Sequence, residues 1–144
     1  MTHRQATTTW TGDLSSGSGE TTLDSSKLTT FEVSWPTRAE DRAGQTSPEE
    51  LIAAAHSSCY CMQLSALLGD AGTPPETIRT TARVSFGPRT GGGFEISGIL
   101  LTVRARVPGA RSGDFRKIAD VAKASCPVSA AFTGAVITLD AALE

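Results

Sequence analysis

The 144-residue sequence has little net charge, few cysteines and no apolar stretch near its N-terminus. A formal net charge of −2 gives no electrostatic reason to expect binding to nucleic acid or to an anionic membrane. Residues 1–7 lack the apolar segment of a secretory signal peptide, so we expect none. The length suits a single domain that spans residues 1–144 and encloses a packed core.

The three cysteines are Cys59, Cys61 and Cys126, and their number and spacing do not fit a disulfide framework. Such usage is typical of a reducing compartment, where cysteines are reactive or bind metal, and it predicts a cytoplasmic location. Cys59 lies in a long uncharged segment, whereas Cys126 begins the run CPVS. One thiol that attacks an oxidant and a second that resolves the oxidised form as a disulfide would make a redox site. The alternative for any of the three is an inert, buried side chain.

Alternating apolar and polar residues predict β-strands at both ends of the chain. The pattern of Phe31, Val33 and Trp35 predicts a strand that Pro36 stops, with a loop over residues 36–46 behind it. The later strands are predicted near residues 82–86, 101–107 and 135–141, with the glycine run 91–93 as a turn between the first two.

A long helix is the clearest feature of the sequence. Ser47 is expected to cap it, Pro48 to occupy its first position, Glu50 to complete a capping box, and Gly69 to end it. No charged side chain occurs over residues 51–68, but several polar side chains argue against a membrane span. We therefore expect a soluble helix that is buried on most sides, with a second copy of itself as the economical partner.

Two further helices are predicted near the C-terminus. Ser112 is expected to cap the first, whose apolar face carries Phe115, Ile118, Ala119 and Ala122. A short helix over 127–132 would place Cys126 at its N-cap. The order of elements predicts an α+β fold in which an antiparallel sheet packs on the long central helix.

Three residues compete as partners of Cys59. His56 lies one helical turn before it, which allows a Cys–His dyad or a metal site with Cys61. The metal site is disfavoured because residues two apart on a helix point to opposite sides, so packing roles are expected for His56 and Cys61. Arg38 is the alternative activator, because a guanidinium lowers the pKa of a thiol beside it.

Glu49 is the carboxylate available to orient Arg38, because Glu50 is assigned to the helix cap. Glu49 and Cys59 are ten residues apart, which is about 15 Å along a helix. They cannot touch within one chain, so this site requires a dimer in which the two long helices run antiparallel.

The stretch TSPEEL at residues 46–51, the stretch HSSC at residues 56–59 and the later CPVS run closely resemble the OsmC/Ohr family. The resemblance covers nearly the whole chain. It implies the OsmC-like fold, an intertwined homodimer, and thiol-dependent reduction of organic hydroperoxides without metal, flavin or another cofactor. A dithiol, small or protein-borne, would be the reductant.

The resemblance also implies roles for individual residues. Cys59 falls on the peroxidatic cysteine, Cys126 on the resolving cysteine and Glu49 on the catalytic glutamate. Arg38 falls on the arginine of the OsmC branch, while Cys61 stands where the family usually has no thiol. The alternatives that stay open are a thiol-based redox sensor or ligand-binding dimer without turnover, and a structural dimer with inert cysteines.

Overall fold

The computed structural model describes residues 1–40 and 44–144. Internal contacts divide the chain into two compact units, Met1–Leu51 and Ile52–Glu144. The expected single domain over residues 1–144 stays a prediction.

The first unit contains a three-stranded antiparallel sheet and a short helix. Its strands are β1 (Thr7–Thr11), β2 (Ser18–Thr22) and β3 (Thr30–Val33), in the order β1-β2-β3. Helix α1 (Trp35–Ala39) follows directly. β2 is the central strand, and small residues suit it, since a Cβ at Gly19 would lie 3.0 Å from the side chains of Trp10 and Val33.

Helix α1 corrects the predicted loop over residues 36–46. Ser34 and Thr37 form a reciprocal capping box, with the Ser34 amide 3.2 Å from the Thr37 hydroxyl and the Thr37 amide 3.4 Å from the Ser34 hydroxyl. Pro36 therefore starts a helix and does not merely stop a strand, because its fixed φ suits the first turn. Trp35 belongs to this helix, and residues 41–43 of the predicted loop lie outside the described residues.

The long helix α2 (Pro48–Asp70) begins where the sequence predicts. The Ser47 hydroxyl accepts from the Glu50 amide at 3.2 Å, which confirms half of the expected capping box. The other half is wrong, because the Glu50 carboxylate accepts from the Thr46 hydroxyl at 3.0 Å.

The expected end of α2 at Gly69 is also wrong. Gly72 has a φ of +82°, and the Thr73 amide donates to the Leu68 carbonyl at 3.0 Å. The Gly72 amide donates to the Gly69 carbonyl at 3.0 Å. These two bonds are a Schellman motif, so Gly72 is the left-handed residue that ends the helix and Gly69 lies inside it.

The second unit contains a mixed sheet in the order β4-β5-β6. Its strands are β4 (Thr77–Pro88), β5 (Phe94–Arg106) and β6 (Val136–Leu143). The hairpin of β4 and β5 turns at the glycine run 91–93, as predicted, whereas β5 and β6 pair parallel. The antiparallel sheet expected from the sequence is therefore wrong for β6. Two helices between β5 and β6 return the chain to the end at which β5 begins, so the two strands run parallel.

Those helices are α3 (Ser112–Ser125) and α4 (Pro127–Ala131). The predicted apolar face of α3 is confirmed, with Phe115, Ala119 and Ala122 buried. Its predicted cap is wrong, because Arg111 occupies the N-cap position and Ser112 is already helical. The α+β class is confirmed, and α4 ends one residue before the predicted Phe132.

Helix α2 packs its buried face into the core of the second unit. Tyr60, Leu64 and Leu68 are fully buried there with inward residues of β5 and α3. Each of the two leucines contributes about 1.5–3 kcal/mol by leaving water. By length and composition alone the helix could cross a membrane, while its face with Tyr60, Leu64 and Leu68 packs in the core of the second unit.

The opposite face of α2 is exposed and carries uncharged side chains. All of them are small except Met62. Its exposed members are Ala54, Ala55, Ser58, Met62, Ser65, Ala66 and Gly69. Met62 is 72% exposed, which is unusual for a large apolar side chain. Among the described residues this face is left uncovered, so the expectation that most sides of the helix are buried, with a second copy as the partner, stays a prediction.

We predict that Gly72→Ala destabilises the fold by about 1–2 kcal/mol, because an L-residue resists the left-handed conformation. The matched variant Gly69→Ala replaces a glycine inside the same helix, where no atom would lie within 4 Å of the new Cβ. It is expected to be neutral or stabilising by up to about 1 kcal/mol. Urea denaturation of both variants measures the difference, and the reverse order of stability would show that the helix ends at Gly69.

Candidate active site

The sulfur atoms of Cys59 and Cys126 lie 3.0 Å apart, and both cysteines are free thiols. Cys59 is partly exposed on α2, whereas Cys126 is fully buried between α3 and α4. Because a disulfide bond measures about 2.05 Å, the sulfurs need to approach by only about 1 Å to join. The structure therefore brings together the two thiols that the sequence proposes as a redox pair.

The position of Cys126 follows from the residue behind it. The Cys126 amide donates to the Ala122 carbonyl at 2.9 Å, which closes the last turn of α3. Pro127 disfavours helical backbone at the residue before it, and Cys126 accordingly has ψ of 123°. The chain turns there and restarts as α4, so that the cysteine side chain is directed into the core.

The two thiols have different acidities. Burial raises the pKa of Cys59, and the hydrogen bond with Cys126 raises it further. Burial also acts to raise the pKa of Cys126, but the hydrogen bond with Cys59 and the amide and hydroxyl of Ser129 outweigh it and lower the pKa overall. Within this unit, negative charge is thus more stable on Cys126 than on Cys59, and a thiolate at Cys59 needs a further source of stabilisation.

Ser129 is a site residue that the sequence analysis missed. Its hydroxyl lies 2.7 Å from Nε2 of His56, and both residues are buried. The signal was available in the spacing, because His56 and Cys59 are three apart on α2, and Cys126 and Ser129 are three apart on the later run. The two pairs meet, cysteine to cysteine and histidine to serine.

Cys61 is directed away from this pair. Its sulfur lies 3.1 Å from the Thr80 hydroxyl of β4, on another side of α2 from Cys59. The packing role expected for Cys61 agrees with this position. The described residues contain no group of three or more side chains able to hold a metal ion, so the disfavoured site of His56, Cys59 and Cys61 is not formed.

The first unit holds Arg38 and Glu49 in contact. Nε of Arg38 lies 2.9 Å from Oε1 of Glu49, and Glu49 is buried with only 7% of its surface exposed. The second carboxylate oxygen of Glu49 is buried and has no hydrogen-bond partner among the described residues. The predicted pairing of these two residues is therefore present.

An apolar cavity of about 400 Å³ lies beside Arg38 in the same unit. Its lining residues are Trp10, Leu14, Val33, Ser34, Trp35, Arg38 and Pro48. Two tryptophans and one arginine give it a wall that suits an apolar group with a polar end.

The sequence and the fold both match proteins of known family. Residues 39–140 match the family described as OsmC-like protein. The chain is 42% identical over 142 residues to peroxiredoxin OsmC of Escherichia coli strain K12, a match that covers 99% of this chain and 97% of that protein.

The fold is similar to that of the organic hydroperoxide resistance protein OhrB of Bacillus subtilis, with a TM-score of 0.75 at 24% identity, over 95% of this chain and 97% of that one. An organic hydroperoxide resistance protein from Elizabethkingia anophelis matches with a TM-score of 0.75 at 26% identity, over 99% of both chains. The resemblance read from the sequence motifs is confirmed by these matches.

Proposed function

The chain belongs to the OsmC-like protein family, and on that premise we propose that it is a two-cysteine peroxidase that reduces organic hydroperoxides, and hydrogen peroxide more weakly. The name of its Escherichia coli relative supports a peroxiredoxin-type enzyme. The observation that carries the proposal is the pair of free sulfurs 3.0 Å apart, one partly exposed and the other enclosed.

The exposure of the two sulfurs supports an order in which Cys59 reacts before Cys126. A peroxide meets Cys59 first, because Cys126 is fully buried. The Cys59 thiolate attacks the outer oxygen of R–O–O–H, the O–O bond breaks, and the released alkoxide takes a proton from solvent to become R–OH. Cys59 is left as a sulfenic acid. Cys126 then displaces hydroxide from that sulfur to form the Cys59–Cys126 disulfide, and a dithiol reduces it by exchange.

Arg38 and Glu49 supply what Cys59 lacks in its own unit. Burial disfavours the Cys59 thiolate, so a cation is needed to hold the charge there. In the proposal, Arg38 provides that charge and Glu49 aims it, which the bond of 2.9 Å between them supports. The apolar cavity beside Arg38 would receive the organic part of the substrate and so favour it over hydrogen peroxide.

The working unit in this proposal is a homodimer. The exposed face of α2 lacks charge over most of its length, which suits a second copy of the same helix. Glu49 and Cys59 are about 15 Å apart along one helix, so Glu49 would serve the Cys59 of the partner chain. A cytoplasmic location, where dithiol reductants are plentiful, completes the proposal.

Replacing Cys59 with Ser should reduce peroxide consumption to the uncatalysed rate, because no other thiol is partly exposed beside a resolving sulfur. Cys61→Ser is the matched control and should keep near-native turnover. The assay supplies excess dithiol and compares an alkyl hydroperoxide with hydrogen peroxide. Native-like turnover by Cys59→Ser would reject the mechanism, and a single round of consumption by the native protein would favour the redox sensor.

Mixed dimers test whether the site spans two chains. A Cys59→Ser chain and a Glu49→Ala chain are each expected to be poor enzymes as homodimers. In the mixed dimer, the intact Cys59 would receive Glu49 from its partner, so about one site in two should regain activity. Activity no better than that of the parent variants, in a sample whose mass confirms mixed dimers, would show that each site uses residues of its own chain.

A further inference from the structure

His56 is a buried titratable side chain that the peroxidase cycle does not use. It has no exposed surface, and its Nε2 atom lies 2.7 Å from the Ser129 hydroxyl. The other ring nitrogen, Nδ1, is also buried, and no described residue gives it a hydrogen-bond partner. An unpaired ring nitrogen at such depth constrains where the proton of the imidazole resides.

The proton of His56 is better placed on Nε2 than on Nδ1. A proton on Nδ1 would create a buried N–H donor without an acceptor, which is rarer and more costly than a buried lone pair. Burial also lowers the pKa of His56, so the ring is neutral at neutral pH. In this tautomer Nε2–H donates to the Ser129 hydroxyl oxygen.

Ser129 is then left with one hydroxyl proton to donate. Cys126 occupies the N-cap of α4, one helical turn before Ser129, and the hydroxyl and amide of Ser129 act to lower the pKa of Cys126. A hydroxyl that already accepts a hydrogen bond is a stronger donor, because neighbouring bonds polarise one another. The remaining hydroxyl proton of Ser129 is thus available to the Cys126 sulfur, with His56 bound on the other side of the hydroxyl.

We propose that His56 and Ser129 form a hydrogen-bond relay that stabilises the Cys126 thiolate opposite Cys59, and that both are positioning residues for the resolving step. This inference rests on the proposed function in so far as Cys126 is the resolving cysteine. In that step the Cys126 sulfur attacks the Cys59 sulfenic sulfur, the S–S bond forms, and the S–O bond breaks. The departing hydroxide takes a proton from solvent to become water. The relay keeps its own protons throughout.

Few other titratable groups act on Cys126. Cys59 faces it from α2 at 3.0 Å. Tyr60, also on α2, donates its hydroxyl to the Ala119 carbonyl of α3 at 2.9 Å, and burial raises its pKa so that it stays neutral. Among the described side chains, Ser129 and the Cys59 thiol are thus the groups whose change would most alter the acidity of Cys126.

The tautomer of His56 can be measured in the unaltered protein. The sequence contains two histidines, His3 and His56, so the imidazole nitrogens give two sets of NMR signals. We expect His56 to carry its proton on Nε2 and to be neutral at neutral pH, because burial lowers its pKa. A proton on Nδ1, or a charged ring at neutral pH, would overturn the relay.

The acidity of Cys126 tests the second half of the relay. In a Cys59→Ser, Cys61→Ser background Cys126 is the sole thiol, and its thiolate absorbance can be titrated with pH. Ser129→Ala and His56→Leu should each raise the pKa of Cys126 by about one, a roughly tenfold loss of thiolate at neutral pH. Ser129→Thr and His56→Gln keep a donor and should restore most of the thiolate.

Ser125→Ala is the matched control, because it removes the adjacent hydroxyl, which is bound to the Val121 carbonyl at 2.8 Å. It should leave the pKa of Cys126 unchanged. An unchanged pKa in Ser129→Ala, or an equal shift in Ser125→Ala, would overturn the proposal. Should His56→Leu fail to fold, His56→Gln and the NMR measurement still decide the role of the ring.

These measurements use no peroxide, so they separate the relay from the peroxidase itself. With all three cysteines present, Ser129→Ala should slow disulfide formation about tenfold after one equivalent of an alkyl hydroperoxide. A raised pKa of Cys126 with an unchanged rate of disulfide formation would overturn the proposal that the relay assists the resolving step. An unchanged pKa in an active peroxidase would reject the relay alone.

Discussion

The close approach of two sulfur atoms depends on a match between two short stretches of helix. His56 and Cys59 project from one side of α2, and Cys126 and Ser129 lie one turn apart at the start of α4. The core keeps the stretches in register, because Tyr60 of α2 is buried and bonds to the backbone of α3. The sulfur distance of 3.0 Å is therefore a consequence of core packing in the second unit.

The environment of this pair divides the chemistry between its two cysteines. Cys126 is surrounded by donors that favour its thiolate, which suits a residue that attacks a neighbouring sulfur after the first oxidation. Cys59 is the sulfur that a peroxide can reach, yet burial works against its thiolate. In the proposed enzyme, a positive charge from outside the unit that contains Cys59 stabilises this thiolate. Arg38, held by Glu49, is the charge we assign to that task.

Local patterns predicted most elements of the fold and the main residues of the site. The strand β5 and the helix α3 could be predicted because each buries one side, so apolar residues recur with the period of a strand or of a helix. The end of α2 was not, because two glycines lay within three residues and only the backbone shows that Gly72 has the positive φ. The parallel pairing of β6 with β5 depends on contacts between residues far apart in the sequence. The periodicity of one strand does not show which strand it pairs with or in which direction. Ser129 was missed because its role arises only when α4 meets α2.

The central claim is that Cys59 reacts as a thiolate only because Arg38 supplies positive charge. A single round of Cys59 oxidation by an alkyl hydroperoxide, followed from about pH 5 to 9, tests it in native protein, Arg38→Met and the control Arg79→Met, which alters an exposed arginine. The account predicts a rate that varies little near neutral pH in native protein and control. In Arg38→Met the rate at neutral pH should fall at least about tenfold and recover as pH rises through the raised pKa of Cys59. An Arg38→Met profile that matches the native one would contradict the account.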